Sequence, residues 1–542
     1  MKYIKTLDKY LKENRDIIKN NALDILSDND QNQSPETKDI LDKLSDVKTT
    51  ENIVVTRFSP SPTGKLHIGG IKTCLYSYLF AKKHNGKFIL RIEDTDSKRF
   101  DPEAEKYIKD ALDWIGIEPD ESPWKGGPNG PYRQTERDYS VEVNMLLENG
   151  SGYYAFDTSN ELDTIRKNNT NFSYNFKTRM NMRNSLSLSK DEVDSLLKNK
   201  TPYVIRFKVP ENREISFDDI IRGTIKVNTN EMDDKVIMKS DGVPSYHLAN
   251  TSDDYNMGVT HVIRGEEWIP STPIHILIYE SLGRKCPKFA HLPLILNPDG
   301  KGKLSKRSAL KYGFPVVPFG GESLDDKGNK VKYMGFKDEN YEPDALLNFL
   351  VLLGWTPSDQ KELMTMADMI SNFDLHKVSK AGARFDIEKA KWFNQQYINQ
   401  FRDNDDLLKH INTGDTHEYS PENLSKIIDI CKKRSTFVKD MQPVSDIFFK
   451  PIILSDKDKS SIVPEFKTVF TKFITDIDNI EWKADIIKSK IYDICEENKI
   501  KMGKIMPNLR LVLTGGVPGP DLVSTAEILG QDETRKRIQS AL

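Results

Sequence analysis

Three segments close together constrain the fold more than anything else in the chain. "NIVVTRF" is a β-branched run, residues 68–84 carry a helical pattern ("IKTCLYSYLFAKK" at its centre), and "KFILRIE" is a second apolar run. Strand, helix and strand within about forty residues form a βαβ unit, which requires a parallel sheet with ligands gathered at the carboxyl ends of its strands. A second helix follows in "DPEAEKYIKDALDWIG", where Asp101 supplies an N-cap and Pro102 opens the first turn.

The pattern changes several times along the 542 residues, too many for a single core. Residues 1–51 read as a helical appendage on a polar linker, and 52–135 as the first half of the β-α domain. Residues 136–235 are mixed and polar, with strands expected at "GYYAF", "TPYVIRFKV" and "IKVN", and read as an inserted α+β module. The β-α pattern returns over 236–311, where Ser271 or Thr272 caps a helix with Pro273 just inside it. A Gly/Pro-rich loop spans 312–342 within a linking segment, 312–381, and the chain is helical over 382–542.

A formal charge of −3, from 79 basic and 82 acidic residues, means that any polyanion must be met by local patches. Cys74, Cys286, Cys431 and Cys495 stand singly, without metal-ligand or disulfide spacing. With no long apolar run and an acid-bearing start, no membrane contact and a cytoplasmic location are expected.

"SPSPTGKLHIGG" lies where the first strand hands over to the helix. Helix-opening Gly69 and Gly70 offer free N–H groups to a phosphate, and Gly64 and Gly69 let a ligand approach the backbone. Pro60 and Pro62 stiffen the turn presenting Ser61 and Thr63, and His67 can donate to a phosphoryl oxygen. Taken alone, the stretch reads equally well as a Pro/Gly turn with a surface histidine. "GKGKLSKR" puts Lys303, Ser305 and Lys306 on a loop after the last β-α unit, where both ammonium groups can reach one triphosphate. By itself that too is an ordinary solvated loop.

Together, "HIGG" and "KLSKR" resemble the HIGH and KMSKS signatures of class I aminoacyl-tRNA synthetases. "TRFSPSPTGKLHIGG", "RIEDTD", "GPYRQTER", "SDGVPSYHLAN", "VIRGEEW" and "KLSKR" resemble glutamyl-tRNA synthetase in order and spacing, over residues 53–542. The resemblance implies a Rossmann-like α/β catalytic domain, an inserted acceptor-stem-binding module and an all-α C-terminal anticodon-binding domain. It also implies a reaction: L-glutamate and Mg²⁺-ATP form glutamyl-adenylate, and tRNA-Glu, bound before ATP is consumed, accepts the glutamyl group. A monomer is expected.

By the same resemblance His67, Gly69, Lys303 and Lys306 are the catalytic residues, with Ser61, Thr63, Glu267 and Trp268 also at ATP. Arg57, Tyr246 and Arg264 fall to the glutamate side-chain carboxylate, Glu93 to its ammonium, and Ser59 and Asn250 to the same substrate. A guanidinium binds carboxylate through paired charge-assisted hydrogen bonds, which an amide cannot reciprocate. Each residue also has a plainer reading: the arginines paired with an acid such as Glu266, Tyr246 in the core, Glu93 capping a turn. In the helical region Lys432, Lys433, Arg434 and Lys439 are expected on one RNA-facing helix face.

Two features depart from the family pattern. Some members bind zinc through cysteines of the inserted module, and 136–235 contains none, so no metal is expected. Residues 1–51 precede the family's usual start. Three rivals are a glutaminyl-tRNA synthetase, which lacks the cationic side-chain site, a truncated relative that modifies a tRNA base, which lacks the helical end, and a tRNA-binding paralogue without catalysis.

Overall fold

The computed structural model describes residues 53–96, 98–305, 310–324, 329–414, 419–518 and 520–542, so the expected N-terminal appendage and Lys306 lie outside the described residues. Every element below belongs to the compact unit Val54–Leu542.

β1 (Val55–Phe58), α1 (Ile68–Lys83) and β2 (Lys87–Leu90) form the expected βαβ unit, with β1 and β2 parallel and Arg57 opposite Ile89. α1 is less amphipathic than its sequence suggests: Ile71, Cys74, Leu75 and Leu79 are buried, and so are Lys72 and Ser77. Such a helix is packed on several sides, within the largest hydrophobic cluster. α2 (Pro102–Trp114) begins as expected, with the Asp101 carboxylate accepting from Glu103 N–H and Pro102 in the first turn.

The inserted region contributes β3 (Gly152–Ala155), β4 (Val204–Phe207), the hairpin β5 (Glu214–Asp219) and β6 (Gly223–Asn228), and β7 (Val236–Met238). β3, β4 and β7 make an antiparallel sheet over a small core of Tyr153, Ala155, Leu162, Tyr174 and Met182. At its centre the buried Asp234 carboxylate accepts from Tyr153 Oη at 2.7 Å and Arg179 Nη1 at 3.2 Å.

The boundary between module and catalytic domain is interlaced. β8 (His261–Gly265) and β9 (Lys288–Leu292) are parallel, and β5, read from sequence as part of the module, lies beside β9 in the catalytic sheet. β7, expected in the second half of the catalytic domain, pairs with β4 of the module. Thr260 joins the halves of the catalytic layer: its N–H donates to Val55 O at 2.9 Å and its hydroxyl oxygen accepts from Val55 N–H at 2.8 Å. The lateral order is therefore β2, β1, β8, β9, β5, β6.

Helix α3 (Tyr246–Asn256) precedes β8, and α4 (Thr272–Ser281) lies between β8 and β9. Ser271 is the N-cap residue of α4, but its side chain makes no cap bond, and the Thr272 hydroxyl is turned to Arg264 instead. The expected loop at 312–342 contains a β-hairpin, Gly321–Leu324 with Lys330–Tyr333. Just before it, Val316 O accepts from Ile68 N–H at 2.9 Å and Gly320 O accepts from Lys65 Nζ at 3.0 Å, bracing the turn ahead of α1.

Beyond Gly382 the structure is almost wholly helical, with a separate core around Ile427, Phe448, Phe470, Ile491 and Leu509. The helix Ile387–Phe401 contributes Phe393 to the catalytic-side core and Ile398 to the helical one. Among the described residues no helix is long and apolar enough to cross a membrane.

Candidate active site

A pocket of about 270 Å³ opens at the carboxyl ends of β1, β8 and β9. Arg57, Ser59, Ser61, His67, Gly69, Glu93, Tyr246, Asn250, Arg264, Glu267, Trp268 and Lys303 all line it, so segments far apart in sequence converge there. Thr63, expected at ATP, is exposed on the turn and does not line the pocket.

His67 is the N-cap residue of α1, and its Nδ1 accepts from Gly69 N–H at 3.0 Å. In the neutral ring the proton therefore sits on Nε2. This changes the expected role of the first turn. Val316 O takes the N–H of Ile68 and the His67 ring that of Gly69, so Gly70 rather than Gly69 keeps an uncommitted N–H among the described residues. A Cβ on Gly69 would stand 2.6 Å from His67 Cε1. Gly69→Ala must therefore expel the imidazole from its capping position, and kcat should fall by about 10²-fold or more, the usual loss for one electrostatic donor. Single-turnover adenylate formation checks this; an unchanged rate would remove His67 from the chemistry.

Two buried guanidiniums, Arg57 and Arg264, also line the pocket. Arg57 Nε donates to Asp254 at 3.0 Å and Nη1 to Ile263 O at 3.3 Å. Asp254 is shared with Arg91 Nη1 at 2.8 Å, and Arg91 Nη2 reaches Glu93 Oε1 at 3.1 Å. Asn250 Nδ2 donates to the same Glu93 oxygen at 3.0 Å, so both recorded bonds to Glu93 fall on Oε1. Glu93 does not cap a turn, and Glu266 pairs with Arg222 rather than with Arg57 or Arg264. The Ser59 hydroxyl is buried without a hydrogen-bond partner among the described residues. A buried, unsatisfied hydroxyl on a pocket wall is suited to a polar ligand.

Arg264 Nε donates to His291 Nε2 at 3.1 Å, Nη1 to Tyr246 Oη at 3.0 Å and Nη2 to Thr272 Oγ1 at 2.9 Å. Tyr246 packs on Trp268 with ring centroids 4.3 Å apart, and Trp268 is 38% exposed at the mouth. There too Lys303 Nζ meets Glu267 Oε1 at 3.0 Å. Burial opposes ionisation of Glu267, but its own backbone and the Lys303 ammonium hold the carboxyl below the usual range.

The sequence reading missed the layer behind these groups: Asp254, Arg91, His275, His291, Asp219, and Lys72 on the pocket floor. The available signal was a histidine inside the apolar runs "STPIHILIY" and "KFAHLPLIL", a position that costs stability unless it is bonded. Burial, opposed by Glu266, lowers the Lys72 ammonium to about 7. Among the described residues no group of three or more His, Cys, Asp or Glu is arranged to hold a metal ion.

The family model described as tRNA synthetases class I (E and Q), catalytic domain, matches residues 53–314 and 325–392, and an anticodon binding domain model matches 391–542. The chain belongs to the glutamate–tRNA ligase family of class I synthetases. It is 45% identical to the glutamate–tRNA ligase of Cytophaga hutchinsonii over 91% of this chain and 98% of that one. Against the Flavobacterium psychrophilum glutamate–tRNA ligase the identity is also 45%, covering 90% and 99%. The crystal structure of a glutamate tRNA ligase from Elizabethkingia meningosepticum in complex with its amino acid superposes with a TM-score of 0.81, at 49% identity over 90% of this chain and 99% of that one.

In the helical domain the expected basic face is only partly formed. Lys432 is buried and its ammonium donates to Arg402 O at 2.7 Å, while Lys433 and Arg434 are exposed at the end of the helix Pro421–Lys432. Lys439 sits on a separate turn and pairs with Glu339 at 3.2 Å.

Proposed function

We propose that this pocket joins L-glutamate to tRNA-Glu in two steps. The glutamate α-carboxylate attacks the α-phosphorus of Mg²⁺-ATP, the bond to the β-phosphate oxygen breaks, and pyrophosphate leaves. The 2′-hydroxyl of the terminal adenosine then attacks the acyl carbon, losing its proton as AMP departs. The observation that carries the reading is the convergence of His67, Lys303, Glu93 and Arg264 on one pocket from elements more than two hundred residues apart in sequence.

Arg264, Tyr246 and Arg57 receive the side-chain carboxylate, Glu93 the ammonium, and Asn250 and Ser59 further polar atoms. His67 Nε2 and Gly70 N–H face the phosphates. By resemblance Lys306 stabilises the departing pyrophosphate, and Lys303 leaves Glu267 to assist it. Positioning and fixed charge carry such a reaction without a covalent protein nucleophile. Arg264 within the pocket disfavours the glutamine-specific relative, whose substrate carries no side-chain charge. Exposed Lys433 and Arg434 support RNA contact.

ATP–pyrophosphate exchange tests the reading. Exchange should require glutamate and purified tRNA-Glu together; its absence at every tRNA concentration would leave a binding paralogue.

A further inference from the structure

Arg264 differs from the neighbouring arginines in the company it keeps. Arg57, Arg91 and Arg222 each pair with a carboxylate. Arg264 is 5% exposed, and among the described residues no carboxylate forms an ion pair with it. Its partners are His291 Nε2, the Tyr246 and Thr272 hydroxyls, His275 Nδ1 at 3.3 Å and the Trp268 carbonyl at 3.5 Å, all uncharged acceptors when the rings are neutral.

These bonds fix both histidine tautomers. His291 offers its lone pair at Nε2, so its proton lies on Nδ1 and is donated to Asp219 Oδ2 at 2.6 Å. His275 offers Nδ1, so its Nε2–H donates to His247 Nδ1 at 3.2 Å. Protonating either ring would remove an acceptor and set a second cation against the guanidinium. The surroundings resist it. His275 faces Tyr246 and His247 from α3, Arg264 from β8, Arg57 from β1 and His291 from β9, with no acid among them; burial first, then Arg264, keep the ring well below its usual range. His291 faces Asp219 of β5, Arg264, Arg222 and the Phe289 ring, and burial lowers it although Asp219 pulls the other way. Burial pushes His247 down to about 4.

We propose that His275 and His291, the latter backed by Asp219, are specificity-determining positioning residues: they hold Arg264 by neutral acceptors alone, so its charge stays uncompensated until a substrate carboxylate arrives. A buried cation without a counter-ion is costly, and glutamate relieves that cost where the isosteric glutamine amide does not. The inference rests on the reading that Arg264 receives the side-chain carboxylate.

Two substitutions of equal size separate charge from shape. In His275→Asn the amide Oδ1 replaces Nδ1 as a neutral acceptor, and His275→Asp puts a carboxylate there. In tRNA-dependent exchange His275→Asn should keep the glutamate KM within about fivefold. His275→Asp should raise it ~50-fold or more and strengthen inhibition by glutamine, with the ATP KM within about twofold. Matching behaviour of the two variants would overturn the proposal. If His275→Asp does not fold, His291→Gln, whose Oε1 replaces Nε2, against His291→Leu decides: the first should retain glutamate binding and the second lose it about tenfold or more. Arg264→Met separates the two levels. An unchanged glutamate KM there rejects the pocket assignment itself, whereas a loss there with none in His275→Asp or His291→Leu rejects only the histidine role.

Discussion

Arg264→Met should lower kcat/KM for glutamate by about 10³- to 10⁵-fold in tRNA-dependent ATP–pyrophosphate exchange, while the KM for ATP moves by no more than about threefold. Methionine fills much of the arginine volume but removes the charge and all five donors. The substrate carboxylate would then be desolvated without a counter-ion, and His291, Tyr246, His275 and Thr272 would each lose a donor. ATP is affected little because neither His67 nor Lys303, the groups assigned to its phosphates, is among the hydrogen-bond partners of Arg264. A glutamate KM equal to that of the parent enzyme would mean that another cation selects the substrate.

Asp254→Asn should have the largest effect on stability, about 3–5 kcal/mol for the catalytic part, measured by the denaturation midpoint of the tryptophan signal. The carboxylate is fully buried and compensates Arg57 and Arg91 at 3.0 and 2.8 Å, so its loss leaves two guanidiniums sharing too little negative charge. Burial pushes this carboxyl upward, but Arg57 and Arg91 outweigh it and hold it below the usual range. Its contribution is therefore present above the unfolded carboxyl value of about 3.9 and is lost as pH falls through the lower folded value. The variant should show a shallower loss of stability below about pH 4 than the parent. An unchanged midpoint at neutral pH would place the stabilising charge elsewhere.

What could be read from the sequence was whatever depends on neighbouring residues. The βαβ unit, the Asp101 cap and the pocket-lining positions from Arg57 to Lys303 follow from local pattern or from motif order, and the structure places them accordingly. What escaped depends on partners far along the chain. The pairing of β5 with β9 has no local signature, since an alternating strand fits either sheet. Lys432 belongs to a basic run that gives no sign of a carbonyl thirty residues earlier waiting for its ammonium. The 312–342 segment is rich in Gly and Pro, yet Lys330–Tyr333 alternates enough to form a strand once Gly321–Leu324 lies beside it. The side-chain acceptors around Arg264 come from α3, α4 and β9 and meet only in the folded chain.

The interlaced boundary limits how the inserted module can be exchanged between relatives. Excising 136–235 as a block would take β5 and β6 away with it, leaving β9 as a raw sheet edge and His291 without Asp219. β7 would stay behind without its partner β4. A transplant that spares the host enzyme must instead be cut between β3 and β4, across 156–203, where the chain is helical and loop-like and carries none of the side chains that hold Arg264. Chimeras made there should inherit a new module surface while keeping the amino-acid preference of the recipient.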